Sequence, residues 1–254
     1  MDSKIHTYYL SAAAARSATR IGCFFAIVEP ASDNRYLNYA VPSADARPTE
    51  AEVSALVDHY QSRRRQPRLE YVVGAAPEVE AVLLAAGFVV ENRLPLMVCA
   101  ADTLQPMAPP DGFDLSPARS DADLRGELTV IRHAYGGGGE PTARELAGRH
   151  SFVDQGGLVV LARHAASSAP AASGICEVVR NGVAELATVG VMPEFRGRGL
   201  AAAVTSRLCS EAFASDCALL WLTPLHEQAR GIYERAGFVS VSEVLHIGLP
   251  ELRS

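Results

Sequence analysis

Long apolar runs, a charged-then-apolar leader, an excess of basic residues and paired cysteines are all missing from this chain of 254 residues. With no stretch of about 18 uninterrupted apolar residues, no membrane-spanning helix is expected. With no apolar segment behind positive charge at the start, no secretory leader is expected either, and the protein reads as cytoplasmic. Lysine and arginine number 23 against 29 aspartate and glutamate, a net charge of −6. That balance excludes a basic face for nucleic acid and is compatible with a cationic amine as ligand. The five cysteines, Cys23, Cys99, Cys176, Cys209 and Cys217, are odd in number and widely separated. They read as reduced core residues, with neither a disulfide framework nor the spacing of a metal site. No Gly-Lys-Ser/Thr follows a glycine, which excludes a P-loop.

What is present is globular: 48% apolar and 20% charged residues, in a length that suits one large domain or two ordinary ones. Periodicity predicts strands over Ile21–Val28, Tyr36–Val41 and Leu69–Val73, and a helix over Thr49–Arg64 with Thr49 as N-cap. Another helix opens at Pro77, and a strand runs from Val89 to Ala100 with Pro95 marking an edge or a bulge. A linker, Ala101–Pro110, carries three prolines. Beyond it come a strand at Phe113–Leu115, a helix at Ala122–Tyr135, a glycine loop at Gly136–Gly139, and strands at Gly157–Arg163 and Gly174–Arg180. Arg180-Asn-Gly182 is a tight hairpin turn into the strand Val183–Val191. The strand Ala218–Thr223, a helix from His226 and a terminal strand Val239–Leu249 complete the chain.

The tripeptide Ala-Gly-Phe closes a helix twice, at 86–88 and at 236–238, in the same order of elements. That recurrence predicts a duplicated domain, one copy over 1–105 and one over 106–254. The copies differ in chemistry. The second has Val191-Met-Pro193 followed by Arg196-Gly-Arg-Gly199-Leu-Ala-Ala202, where the first has Val41-Pro-Ser-Ala-Asp-Ala-Arg-Pro48, with no glycine to admit a diphosphate. A loop of glycines and arginines at a helix N-terminus aims free N–H groups at an anion and adds two guanidiniums. Gly197-Arg-Gly199-Leu-Ala-Ala202 also satisfies the dinucleotide fingerprint. Five residues, Met192 to Arg196, intervene after the strand, however, and no acid ends the next strand to hold a ribose hydroxyl.

Arg196-Gly-Arg-Gly199-Leu-Ala201 behind Val191-x-Pro193 resembles motif A of the GNAT acyltransferases. The resemblance implies an α/β fold of two tandem GNAT-like domains, each a mixed, mostly antiparallel central sheet flanked by helices, the first copy degenerate and without a cofactor loop. It implies acetyl-CoA as acyl donor and an amine as acceptor. The phosphates would lie on Arg196, Gly197, Arg198, Gly199, Leu200, Ala201 and Ala202, and Val189, Gly190 and Val191 would lend backbone groups to the pantetheine arm. Gly190 suits a strand that bulges so that its edge can pair with a ligand.

Transfer to an amine also needs a proton donor for the departing thiolate and a group that anchors or deprotonates the amine. Tyr233 lies on the helix stripe Ala229, Ile232, Tyr233, Ala236. By resemblance it is the general acid, and a core aromatic is the plain alternative. Glu185, a carboxylate in an apolar strand, is by resemblance the base or amine anchor, and a solvated edge residue is the alternative. His226 departs from the family, which usually has an asparagine there contacting the cofactor arm; a helix-start or surface histidine is the alternative. With no cysteine in a nucleophile context, attack is expected to be direct. Two joined copies would do within one chain what homodimers of single copies do, which favours a monomer. The competing reading is a CoA-binding regulatory or protein-interaction module without turnover.

Overall fold

The computed structural model describes residues 1–224 and 227–250. In chain order the elements are α1 (Asp2–Ala15), β1 (Thr19–Ile21), β2 (Phe24–Ile27), β3 (Tyr39–Pro42), α2 (Glu50–Gln61), β4 (Arg68–Val72), α3 (Val79–Ala85), β5 (Val89–Ala100), β6 (Phe113–Pro117), α4 (Asp121–Ala134), α5 (Ala143–Asp154), β7 (Leu158–His164), β8 (Pro170–Cys176), β9 (Val183–Val191), α6 (Leu200–Phe213), β10 (Leu219–Leu222), α7 (Glu227–Arg235) and β11 (Val239–Gly248). No described helix is long and apolar enough to cross a membrane.

Two compact units result, one of Met1–Leu96 with the strand that follows Val239, the other of Met97–Val239. This division differs from the expected boundary after residue 105. The reason is strand pairing: β11 lies antiparallel on β4, with Val244 opposite Val72 and Gly248 opposite Arg68. The end of β5 lies antiparallel on β10, from Met97 opposite Leu222 to Ala100 opposite Leu219. Pro95 lies two residues before the first of those pairs, where β5 needs no donor toward β10.

The first unit orders its strands β1-β2-β3-β4-β11-β5. The expected single strand over Ile21–Val28 is broken into β1 and β2 by a turn at Gly22, whose φ of 55° suits glycine. Val53, Leu56 and Tyr60 of α2, with Val79 and Leu83 of α3, pack on Leu69, Tyr71, Leu245 and Ile247 of the sheet. α2 opens on a capping box: the Thr49 hydroxyl accepts from the Glu52 N–H while the Glu52 carboxylate accepts from the Thr49 N–H.

The second unit orders its strands β5-β10-β9-β8-β7-β6. On one face Leu200, Val204, Leu208 and Ala212 of α6 pack on Val160, Ala162, Ala172, Leu186 and Leu220. On the other, Leu124 and Val130 of α4 and Leu146 of α5 pack on Val159, Leu161 and Ile175. β8 is Pro170–Cys176 where Gly174–Arg180 was expected, because a strand covered on both faces needs small side chains: Ala171 through Cys176 are all buried.

The repeated Ala-Gly-Phe has a local cause. Gly87 and Gly237 take left-handed φ values of 87° and 100°. The following N–H, of Phe88 and Phe238, reaches back to the carbonyl of Leu83 and of Tyr233, at 3.0 Å in each case. Each tripeptide is a helix stop whose phenylalanine anchors its unit's core.

Two predictions arise from the packing of α4. A Cβ at Gly190 would lie 2.8 Å from the Ala134 Cβ and 3.0 Å from Ile131 Cδ1, so glycine is what lets the last turn of α4 sit on β9. Gly190→Ala should destabilise the protein by about 1–3 kcal/mol, read as a lowered Tm, and an unchanged Tm would refute the contact. Glu127 of α4 is fully buried and faces Arg149 of α5 at 2.9 Å. Burial lifts its carboxyl to about 7 against the pull of Arg149. A raised acid favours folding below its unfolded pKa, and that advantage is lost as pH climbs through the folded value. Stability should therefore fall between about pH 4.5 and 7.5, and Glu127→Gln should flatten that slope in pH-dependent melting.

Candidate active site

β9 is the axis of the candidate site. The Asn181-Gly182 turn, with φ values of 52° and 72°, feeds chain into it as expected. On one side β9 pairs with β8. Between Ser173 opposite Gly190 and Ile175 opposite Ala187 the register slips, so β9 carries one residue more than its partner. That bulge falls on Thr188 and Val189, and Thr188 takes φ 49°. A β-branched residue there is strained, which marks the bulge as imposed by its surroundings. A bulge was expected at Gly190; it lies just before it, and the missing Cβ of Gly190 serves the approach of α4.

On its other side β9 runs parallel to β10 only from Val183 to Glu185, the last pair being Trp221 with Glu185. β10 then ends at Leu222 while β9 continues to Val191. Val189, Gly190 and Val191 thus stand where the two strands have parted. The edge they present is a β-edge of the kind an extended ligand can join.

Immediately beyond, Pro193–Phe195 forms a 3-10 turn, and Gly197 and Gly199 adopt φ values of 76° and 83° before α6 begins. Gly199 is the N-cap and has no side chain to cap with. The first helical bond runs from Ala203 N–H to the Gly199 carbonyl, so the N–H groups of Leu200, Ala201 and Ala202 point out of the helix end. Nothing lies within 4 Å of where a Gly197 Cβ would be, and the first turn of α6 holds no acid. The equivalent helix of the first unit, α2, differs on each count: Thr49 and Glu52 cap it, and Glu50 and Glu52 place negative charge in its first turn. One helix end is open to an anion and the other is closed to it.

The arginines are held by different contacts. Arg196 spans from Nε–Val191 O to Nη2–Ala134 O, both at 3.4 Å, and so ties the end of β9 to the end of α4. Arg198 lies over the rings of Phe195 and Phe113, its guanidinium carbon 5.6 and 6.0 Å from their centroids. Phe195 stacks in turn on His164. These aromatic neighbours hold Arg198 beside the open helix end.

Tyr233, on α7, packs edge-on against Phe238 and is half-buried in the core under α6. Burial raises its phenol to about 12, helped by the nearby hydroxyl of Tyr135 and thiol of Cys209. Tyr135, which sequence reasoning did not single out, ends α4 and reaches the carbonyl of Val189 at 3.4 Å. The structure thus gathers Tyr233, Tyr135 and the bulge of β9. Glu185 is placed differently. Its neighbours Ala184 and Leu186 face the α6 core while Ala187 faces the α4 core, so alternation turns Glu185 to the α4 side, at the point where β9 and β10 separate. His226 lies outside the described residues.

Burial raises the thiol pKa of all five cysteines, Cys23 to about 11 and Cys209 well above its ordinary value. None is a thiolate near neutral pH. Among the described residues no group of three or more histidine, cysteine or acidic side chains could hold a metal ion.

Residues 131–238 match the family model described as the acetyltransferase (GNAT) family. No curated protein sequence matches the chain. Among solved structures it is similar to a GCN5-related N-acetyltransferase from Kribbella flavida, with a TM-score of 0.83 and 23% identity over 99% of this chain and 96% of that one. It is similar to another from Sphaerobacter thermophilus, with a TM-score of 0.65 and 17% identity over 91% and 78%. It is also similar to a tandem GNAT protein from the clavulanic acid biosynthesis pathway, with a TM-score of 0.60 and 16% identity over 81% and 72%. At these identities the likeness to solved structures is one of fold. Residues 131–238 thus match the GNAT acetyltransferase family model, and over nearly its whole length the chain shares the fold of a GCN5-related N-acetyltransferase.

Proposed function

We propose that the second unit transfers an acetyl group from acetyl-CoA to a primary amine by direct attack, and that the first unit binds no cofactor. The observation that carries this reading is the coincidence, within one short segment, of a bulged strand edge and an uncapped helix end. The edge of Val189, Gly190 and Val191 faces a gap in the sheet. The N–H groups of Leu200, Ala201 and Ala202 begin nine residues further on, flanked by Arg196 and Arg198. An extended amide arm ending in a diphosphate fits that sequence of demands: backbone pairing first, anion binding next.

In this reading the neutral amine attacks the thioester carbonyl, a C–N bond forms and the C–S bond breaks. An N–H of the bulged strand faces the carbonyl oxygen as charge develops on it. Tyr233 donates its phenolic hydrogen bond to the departing sulfur as general acid and relays to it the proton that the amine sheds, while Glu185 anchors the amine or takes up that proton on its way. The cysteines, all with raised thiol pKa values, support transfer without a covalent enzyme intermediate. The acceptor pocket is built from the loops around α4 and α5, which carry no motif that names a particular amine.

The test is release of free CoA thiol from acetyl-CoA across a panel of amines. Tyr233→Phe should lower kcat by roughly a hundredfold while acetyl-CoA still binds, and unchanged turnover would remove Tyr233 as the acid. Arg198→Ala, which removes one charged partner of the diphosphate, should weaken acetyl-CoA binding about tenfold and reduce its dependence on salt, both measured by calorimetry. An unaltered Kd would detach the loop from the phosphates.

A further inference from the structure

Gly190 admits the last turn of α4 onto β9, and Arg196 ties the carbonyl of Ala134 to that of Val191. The next residue, Tyr135, is therefore delivered to a fixed place. Its N–H still closes the helix on Ile131, and its hydroxyl donates to the Val189 carbonyl at 3.4 Å, a long and weak bond. Tyr135 as a whole is 58% exposed, so this contact is made at a surface and not in a packed core.

Val189 is the bulge residue of β9, at the edge that β10 has left. Its carbonyl is a backbone acceptor beside that edge, and the phenol is already on it. Directly after Tyr135 come four glycines, Gly136 and Gly139 at left-handed φ values of 81° and 80°. The loop is pinned from behind, with Gly137 N–H on the Arg132 carbonyl at 2.8 Å and Arg132 Nη1 on the Gly138 carbonyl at 3.1 Å. Rotation at the glycine side, together with the χ angles of Tyr135, swings the ring away without unwinding α4.

We propose that Tyr135 is a gate on the donor site: in the free protein its hydroxyl occupies the Val189 carbonyl, and an amide N–H of the acyl-CoA arm must displace it to join β9. This rests on the acyl-CoA reading of the second unit. The gate costs affinity, because binding first breaks a bond that the protein makes to itself.

Calorimetric titration of the full chain with acetyl-CoA, wild type against Tyr135→Phe and Tyr135→Ala, reads the effect directly. Both variants lose the hydroxyl and should bind about two- to fivefold more tightly, the factor expected for removing one weak competing hydrogen bond, with KM for acetyl-CoA falling in step. Equal or weaker binding by Tyr135→Phe would overturn the gate. So would a drop in kcat without a change in Kd, which would place the hydroxyl in the chemical step instead. Wild-type protein that ignores acetyl-CoA would overturn the donor-site reading itself, a result distinct from wild-type binding that Tyr135→Phe leaves unaltered.

Discussion

Everything at the candidate site follows from β9 outliving its neighbour. β10 pairs with it as far as Glu185 and stops, while β9 goes on to Val191. Backbone donors and acceptors left at such an edge must find partners or water. In this protein the surplus length is used three ways. The bulge at Thr188 and Val189 re-aims the strand, the missing side chain of Gly190 receives α4, and the chain past Val191 turns through two left-handed glycines into α6. Remove the mismatch in strand length and none of these has a purpose.

The two units show how little separates a helix end open to an anion from a capped one. Along the chain the order strand, helix, strand, helix, strand occurs twice, as β3-α2-β4-α3-β5 and as β9-α6-β10-α7-β11, and each time the first two strands are parallel. The difference is concentrated at the start of the first helix. Thr49 and Glu52 satisfy the N–H groups of α2 from within and surround them with negative charge. Gly199 leaves those of α6 unserved and lets the two arginines stand nearby. A capping box is worth about 1 kcal/mol of helix stability, and α6 forgoes it. Burial of Leu200, Val204, Leu208, Cys209 and Ala212 of α6 in its unit's core more than covers that loss, so the open end persists without a ligand.

Legibility in the sequence tracked how local each feature is. β9 was expected and found at Val183–Val191, and the glycine-arginine loop and the start of α6 were equally plain, because turn residues and apolar runs act over a few positions. The bulge was anticipated at Gly190 and lies at Thr188–Val189, since bulge position is set by the register with β8 and not by a residue's own preference. α5 was not delineated: it buries only Leu146 and shows almost no apolar stripe, although Thr142 and Glu145 form a readable capping box. Tyr135 carries no signal in the sequence beyond being an aromatic residue set directly before four glycines, because its significance is a contact across 54 residues.

The environment of Tyr233 bears on how a phenol serves this chemistry on the proposed reading. Burial and the neighbouring Tyr135 raise it to about 12, further above the thiol of a leaving coenzyme, near 8.5, than a free phenol at 10. Complete transfer of its proton to the thiolate is therefore uphill by several pKa units. Donation of a hydrogen bond to sulfur as negative charge gathers there is not, and its strength grows in the same desolvated surroundings that raise the pKa. The proton that finally neutralises the sulfur comes from the amine, whose nitrogen becomes strongly acidic once bonded to the carbonyl carbon. Tyr233 then acts as a fixed dipole and relay that is complete before substrate arrives, and its high pKa keeps it protonated throughout the physiological range. On that reading a residue chosen for acidity alone would be better exposed, and the half-buried position on α7 suits electrostatic stabilisation.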